Sequence, residues 1–305
     1  MPQHKAATPE AIERAFREQG FVCTGEVAVT LHLAETLSKP VLLEGPPGVG
    51  KTEIGKLWAA FHGARLLRLQ CYEGLDEAKA LYEWAYGKQM LYTQLLRDAT
   101  GQLLAGAANL HEAVRRLAGQ ADAFFSREFL LERPLLAAIT SSEPVVLLID
   151  EIDRADEEFE AFLLELLSDY QVSIPELGTI RARRPPRVVL TSNDSRDLAD
   201  ALRRRCLYLY VDYPGFEEQL AILESRAPGI SDRLAKSVAR FAQSLRKADL
   251  RKQPGIAEVV DWALALVVVG ADSLSAATLR KTLGALLKNR EDVERVLADP
   301  GRFRG

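Results

Sequence analysis

Apolar residues along this chain fall into two kinds of run. Short uninterrupted ones, Val41-Leu42-Leu43, Val145-Val146-Leu147-Leu148-Ile149 and Val188-Val189-Leu190, read as strands buried on both faces of a parallel sheet. Leu66 to Gln70 and Leu207 to Val211 read as two more strands. Between them, apolar positions recur at helical spacing from Thr52 to His62 and from Phe159 to Leu167. Thr8-Pro9-Glu10 is a helix start, with a cap, a first-turn proline and an acid at the positive end; that helix runs to about Gln19 and stops at Gly20. A second helix, Ala28 to Leu37, precedes the first strand. Val172 to Ile180 alternates around Pro175 and Gly178, a hairpin signature. Leu75 to Ala138 reads as mostly helical, too long for a single crossover, and includes a helical stretch from Ala99 to Ala123 with no legible role. From Phe216 onward only helical patterning is present.

The chemistry sits at two strand ends. Gly45-Pro46-Pro47-Gly48-Val49-Gly50-Lys51-Thr52 follows the first strand and opens a helix, and it fits the G-x-x-x-x-G-K-[ST] phosphate loop. Glycines let the backbone curl so that successive N–H groups face a phosphate, and the helix N-terminus adds partial positive charge. Lys51 is placed to reach the β/γ-phosphates and the Thr52 hydroxyl to ligate Mg²⁺. The run 145–149 ends in Asp150-Glu151-Ile152-Asp153. A carboxylate at the C-terminal end of a buried parallel strand faces the crevice where such sheets bind ligands, so Asp150 reads as the Mg²⁺-side acid. Glu151 reads as the residue that orients or deprotonates an attacking water. Asp153 reads as a structural or subunit-contact acid.

Asn193, after the strand at 188–190, either polarises that water or contacts the γ-phosphate; a turn-forming Asn is the competing reading. Arg203-Arg204-Arg205 follows a short helix (Leu198 to Leu202), and three consecutive arginines cannot all face their own site. One or two at a subunit edge would serve a neighbour as an arginine finger, against the alternative of a solvated basic turn or a phosphate-backbone contact. The elements together predict an α/β fold. Residues 1–214 form a nucleotide-binding domain with a five-stranded parallel sheet and helices on both faces, a helical insertion at about 75–138 and a hairpin at about 172–184; residues 215–305 form an all-helical lid.

Composition narrows the reading. The chain has 305 residues, 48% of them hydrophobic, and a net charge of −4, which supports a real core and argues against a global nucleic-acid-binding field. The longest apolar stretch, Ala263 to Ala271, is far short of the roughly 18–20 residues that span a bilayer. The N-terminal residues lack the apolar core of a signal peptide. Three widely spaced cysteines (Cys23, Cys71, Cys206) and four scattered histidines suggest neither disulfides nor a zinc site, and suit a reducing cytoplasm.

With these elements in order, the chain resembles an AAA+ P-loop ATPase of the MoxR family, CoxD-like subgroup. The resemblance covers roughly residues 10 to 270 and extends beyond the phosphate loop and acidic strand. It includes Leu69-Gln70-Cys71-Tyr72-Glu73-Gly74-Leu75, Tyr82-Glu83-Trp84, Arg133-Pro134-Leu135-Leu136 and the hairpin Ile174 to Ile180. Ala201-Leu202-Arg203-Arg204-Arg205-Cys206-Leu207-Tyr208, Pro254-Gly255-Ile256-Ala257-Glu258 and Asp261-Trp262 complete it. The resemblance implies ATP and Mg²⁺ as cofactors, Asn193 at the sensor-1 position, Arg204 and Arg205 as finger candidates, and a hairpin facing a pore or substrate. It implies a homo-oligomeric, hexameric ring, a partner carrying a von Willebrand factor A domain, and a metalloenzyme client such as a molybdenum hydroxylase of the carbon monoxide dehydrogenase type. One departure is Ala257, which stands where many relatives carry a sensor-2 arginine; Arg251 or Lys252 is the alternative. Two other function classes fit less well. One is a nucleic-acid-associated motor of the restriction-GTPase or helicase-loader kind using Arg181, Arg183 and Arg184. The other is a nucleotide-dependent scaffold, which the intact Glu151 argues against.

Overall fold

The computed structural model describes residues 7–95, 127–175 and 177–303. Its strands, in chain order, are β1 (Val41–Glu44), β2 (Arg65–Gln70), β3 (Tyr82–Trp84), β4 (Leu130–Glu132), β5 (Val145–Asp150), β6 (Gln171–Ile174), β7 (Gly178–Arg181), β8 (Arg187–Ser192) and β9 (Leu207–Tyr210). Five of them form the parallel sheet, in the order β2-β5-β8-β1-β9. The order follows the burial of each strand. All of β1 and β5 and nearly all of β8 are buried, whereas β2 and β9 carry exposed residues. A strand apolar on both faces has to be covered on both, so the continuous runs take the interior and the mixed ones the edges. Register pairs Gln70 with Asp150 at the ends of β2 and β5, and Glu44 with Tyr210 at the ends of β1 and β9.

The chain divides into two compact units. The first comprises residues Met1–Phe61, Thr191–Ser195 and Leu207–Gly305. Its opening helix, Pro9–Glu18, is capped by Thr8, whose hydroxyl accepts the Ala11 N–H. The second helix, Gly25–Leu37, starts three residues before the sequence pattern suggests, because Thr24 caps it by accepting from Val27 N–H and overrides the breaker character of Gly25. The phosphate-loop helix is Lys51–Phe61. The helical remainder consists of Phe216–Arg226, Asp232–Arg246, Ile256–Val268, Ala276–Leu286 and Arg290–Ala298. Its core gathers Leu223, Val238, Phe241, Trp262 and Leu283, with Phe241 and Trp262 rings 5.3 Å apart. The buried Trp262 indole N–H donates to Thr282 Oγ1 at 3.0 Å, so its polar atom is satisfied inside the core.

The second unit comprises His62–Leu190 and Arg196–Cys206. It holds β2, β5 and most of β8, and the helices Glu77–Leu81, Tyr86–Leu95, Pro134–Thr140, Glu157–Asp169 and Asp200–Arg205. The described part of the stretch expected to be helical at about 75–138 also contains an antiparallel pair, β3 with β4, in register Tyr82↔Glu132 to Trp84↔Leu130. Three residues a side are too few for a period-two pattern to stand out in sequence. The stretch Ala99 to Ala123 lies outside the described residues. The hairpin is present as β6 and β7, with Val172 opposite Ile180 and the Ser173 and Thr179 hydroxyls 3.1 Å apart. The short helix near residue 200 is displaced from its expected span: it is Asp200–Arg205, so the three arginines form its last turn rather than a following loop. Cations there complement the negative end of the helix. No helix among the described residues is long and apolar enough to cross a membrane.

Leu147, fully buried in the centre of β5, has no room to be replaced by water or a smaller group without leaving a cavity. Leu147→Ala is expected to lower unfolding stability by about 2–5 kcal/mol, measured as a shifted urea midpoint.

Candidate functional site

The phosphate loop belongs to the first unit and is shaped by its backbone surroundings. Val211 N–H donates to the Glu44 carbonyl at 2.7 Å, and Gly45 N–H donates to the Ser192 carbonyl at 3.2 Å. The loop therefore leaves β1 between the ends of β9 and β8. Gly45 has φ +152°, and a Cβ there would lie 2.0 Å from the Val211 carbonyl oxygen, so only glycine fits. Gly48 (φ +77°) and Gly50 (φ +102°) complete the curl, with Val49 buried beneath and Pro46 and Pro47 on the outer turn. Lys51 is 5% exposed, and its ammonium donates to the carbonyls of Gly45 and Pro46 at 2.6 and 2.7 Å. Thr52 is half-buried in the helix's first turn, whose N–H groups have no acceptor four residues back within the helix. This is an anion-binding cradle with its own cation folded into it.

Three neighbours of the loop were not legible from motif reading. Glu44, just before Gly45, is a buried carboxylate that accepts the Tyr208 hydroxyl at 2.9 Å. The Phe21 ring lies 3.3 Å from where a Cβ on Gly50 would sit. The helix Ile256–Val268 abuts the loop at its N-terminus: Ile256 N–H donates to the Gly48 carbonyl at 2.8 Å. A Cβ on Gly255 would meet Gly48 Cα at 2.9 Å, so two glycines meet face to face. The sequence signal was Pro254-Gly255, a stiff residue and a bare one before a helix start. Ala257 is exposed in that helix's first turn. Of the two alternatives to it, Arg251 pairs with Glu291 at 2.9 Å and Lys252 lies 4.0 Å from Glu258. Asn193 is half-buried and directly follows Ser192, the residue that receives the Gly45 N–H; Asp194 beyond it has φ +58° and bonds back to Ser192 Oγ.

The acidic residues belong to the second unit. Asp150 is 1% exposed at the end of β5, and its carbonyl accepts the Cys71 N–H at 2.8 Å. Its carboxylate takes two hydrogen bonds on Oδ2 from Arg68 of β2, from Nε at 3.0 Å and from Nη2 at 2.5 Å. Glu151 sits in the left-handed region (φ +57°, ψ +51°), a conformation that costs a non-glycine residue about 1–3 kcal/mol and collects at functional positions. Its carboxylate pairs with Arg154 at 3.2 Å and is one-third exposed. Asp153 is buried in the short turn Ile152–Arg154. Burial, with Asp150, Asp153 and Glu151 nearby, pushes the Cys71 thiol up to about 12, so it stays protonated and unreactive at neutral pH. A buried carboxylate such as Asp150 is an oxygen donor that suits a hard cation such as Mg²⁺, while among the described residues no group of three or more His, Cys, Asp or Glu side chains is placed to hold a metal ion.

The arginine helix of the same unit is anchored from below. Glu160, fully buried in the helix Glu157–Asp169, pairs with Arg196 and accepts the Ala199 N–H at 2.8 Å, which fixes the residue preceding Asp200–Arg205. Arg205 Nη1 donates to the Leu164 carbonyl at 2.9 Å. The Arg204 side chain is exposed and makes no hydrogen bond or ion pair among the described residues.

Comparison with known proteins gives the following. The family model described as AAA domain (dynein-related subfamily) matches residues 40–206. Fidgetin-like protein 1 of Rattus norvegicus is 31% identical over 171 residues, which is 53% of this chain and 23% of that protein. Its Homo sapiens counterpart is 31% identical over 147 residues, 45% of this chain and 20% of that protein. The chain thus spans no more than about a quarter of the length of these curated relatives. Among solved structures, the Thermotoga maritima RuvB Holliday junction branch migration motor aligns with 91% of this chain and 75% of its own, at 20% identity and a TM-score of 0.45. A variant of the same motor aligns with 96% and 78% at 19% identity and a TM-score of 0.48.

Gly45→Ala places a methyl group against the Val211 carbonyl and is expected to abolish retention of a fluorescent ATP analogue. Gly87→Ala, where a Cβ meets nothing within 4 Å, is expected to leave it unchanged. Equilibrium fluorescence titration of the two variants checks this.

Proposed function

This chain belongs to the AAA domain family, dynein-related subfamily, and from that premise we propose that it is an ATP-hydrolysing remodeller of the MoxR type. The observation that carries the reading is the phosphate loop, which admits only glycine at position 45 and has Lys51 folded into it, on a chain whose β5 ends in buried Asp150 and left-handed Glu151. In this reading residues 1–214 bind nucleotide and residues 215–305 form the lid. Backbone N–H groups from Gly48 to Thr52 hold the phosphates, and Lys51 exchanges its loop carbonyls for phosphate oxygens. Thr52 and Asp150 would hold Mg²⁺, which neutralises charge on the phosphates. Glu151 accepts the proton of the attacking water, with Asn193 orienting it. Arg204 reaches a neighbouring copy's γ-phosphate, since Arg205 is tied to its own unit through Leu164.

The finer part of the proposal is a hexameric ring working with a von Willebrand factor A partner on a metalloenzyme such as a carbon monoxide dehydrogenase-type molybdenum hydroxylase. It rests on the CoxD-like motifs, above all Leu69 to Leu75, Tyr82 to Trp84 and Pro254 to Glu258. A second reading, a nucleic-acid-associated motor, draws on Arg181, Arg183 and Arg184, which are all exposed at and just after β7. A pull-down with the Glu151→Gln variant loaded with ATP separates the two. A von Willebrand-type partner and a metalloenzyme supports the first; salt-sensitive nucleic acid supports the second.

Two kinetic outcomes are expected. Glu151→Gln retains ATP and loses about 10²–10⁴-fold in turnover; normal turnover in a steady-state phosphate-release assay would remove Glu151 from its role. Arg204→Ala lowers turnover about 10³-fold or more, Arg205→Ala lowers it less, and wild-type specific activity rises with protein concentration.

A further inference from the structure

The Asp150 carboxylate is not an open acid waiting for a metal. It is 2% exposed as a side chain, and the guanidinium of Arg68 is already on it. Two N–H groups of one fork converge on a single oxygen, Oδ2, at 3.0 and 2.5 Å, and the same Nη2 also reaches Gln70 Oε1 at 2.6 Å. Strand register explains the reach. Gln70 is paired with Asp150 across β2 and β5, and Arg68 lies two residues earlier on the same face, leaning along the strand. Charge-assisted forked bonds of this kind are among the stronger side-chain pairings, and a buried carboxylate requires such a partner. Yet 47% of the Arg68 side chain is exposed, so its far side is in water and it has somewhere to go.

We propose that Arg68 is a resident cation at Asp150 that competes with Mg²⁺, so that metal-nucleotide must displace the guanidinium from Oδ2, with Gln70 as its remaining partner. The inference rests on the ATPase reading above and concerns a residue outside the expected phosphate and metal contacts. Two cations cannot share one carboxylate oxygen without repulsion. The arginine therefore sets how much Mg²⁺ the site demands, and it neutralises the acid while the nucleotide is away. A merely structural pair would affect stability and leave metal demand alone.

The test uses the full chain and reads Mg²⁺ dependence of binding, not turnover. A fluorescent ADP analogue is titrated with Mg²⁺ in wild type, Arg68→Gln and Arg68→Lys. Arg68→Gln is expected to lower the half-saturating Mg²⁺ concentration about two- to fivefold, and Arg68→Lys, which cannot fork two N–H groups onto Oδ2, to fall between it and wild type. An unchanged or higher Mg²⁺ requirement in Arg68→Gln overturns the proposal, even if its thermal midpoint drops. Should Arg68→Gln not fold, Arg68→Lys decides: a lower requirement supports competition, an equal or higher one refutes it. A wild type that binds no nucleotide at any Mg²⁺ concentration overturns the ATPase reading itself, and this inference with it.

Discussion

The carbonyl oxygen of Val211 occupies the space that a side chain on residue 45 would need, 2.0 Å from its Cβ position. That close approach exists because Val211 continues β9 past β1 and its N–H is fixed to the Glu44 carbonyl, while the Gly45 N–H is fixed to Ser192 at the end of β8. The end of β1 is thus clamped on both sides by backbone, and the chain has one way out, the tight curl of residues 45–50. Glycine at 45, 48 and 50 follows from the clamp, and the position of the Lys51 ammonium follows from the curl. Buried strands supply the clamp, so the hydrophobic runs that build the sheet also fix the geometry of the polar loop.

Lys51 and the two acids that end β5 are each held by a partner within their own unit. Lys51 rests on the carbonyls of Gly45 and Pro46, Asp150 on Arg68, and Glu151 on Arg154. Buried or half-buried charges without partners are costly, which is why each of these groups is paired. The pairings differ in strength. Arg154 is exposed and its bond to Glu151 is long, so it gives way readily. Arg68 makes the shorter, forked contact to the more buried acid. Separating Asp150 from Arg68 is therefore more demanding than separating Glu151 from Arg154.

Much of this was legible in the sequence for a physical reason. The phosphate loop is constrained by sterics at its glycines, and a fully buried strand has to read as a continuous apolar run, as 41–43, 145–149 and 188–190 do. What escaped were features that depend on tertiary pairing. The β3–β4 pair joins segments more than forty residues apart with three residues on each side. Arg68 reads as an ordinary polar position on a half-exposed strand until register sets it near Asp150. The arginine run was recognised, but its helix was placed too early, because its N-cap is Ala199, which offers no side-chain cap and is fixed instead by its own N–H donating to the distant Glu160.

The junction of Gly48 with Gly255 and Ile256 bears on how the helical residues proposed as a lid would respond to nucleotide without an arginine at position 257. A sensor arginine acts by touching the phosphate; here Arg251 and Lys252 have acidic neighbours of their own in Glu291 and Glu258. The helix Ile256–Val268 instead bonds the loop itself, through the Gly48 carbonyl, with the two glycines leaving no side chain between the backbones. A loop that changes shape when Lys51 leaves its carbonyls for phosphate would carry Gly48 with it, and with Gly48 the first turn of that helix. The helix is locked into its own core through Trp262, Thr282 and Phe241, so a displacement at Ile256 is transmitted to a rigid body rather than absorbed by a side chain.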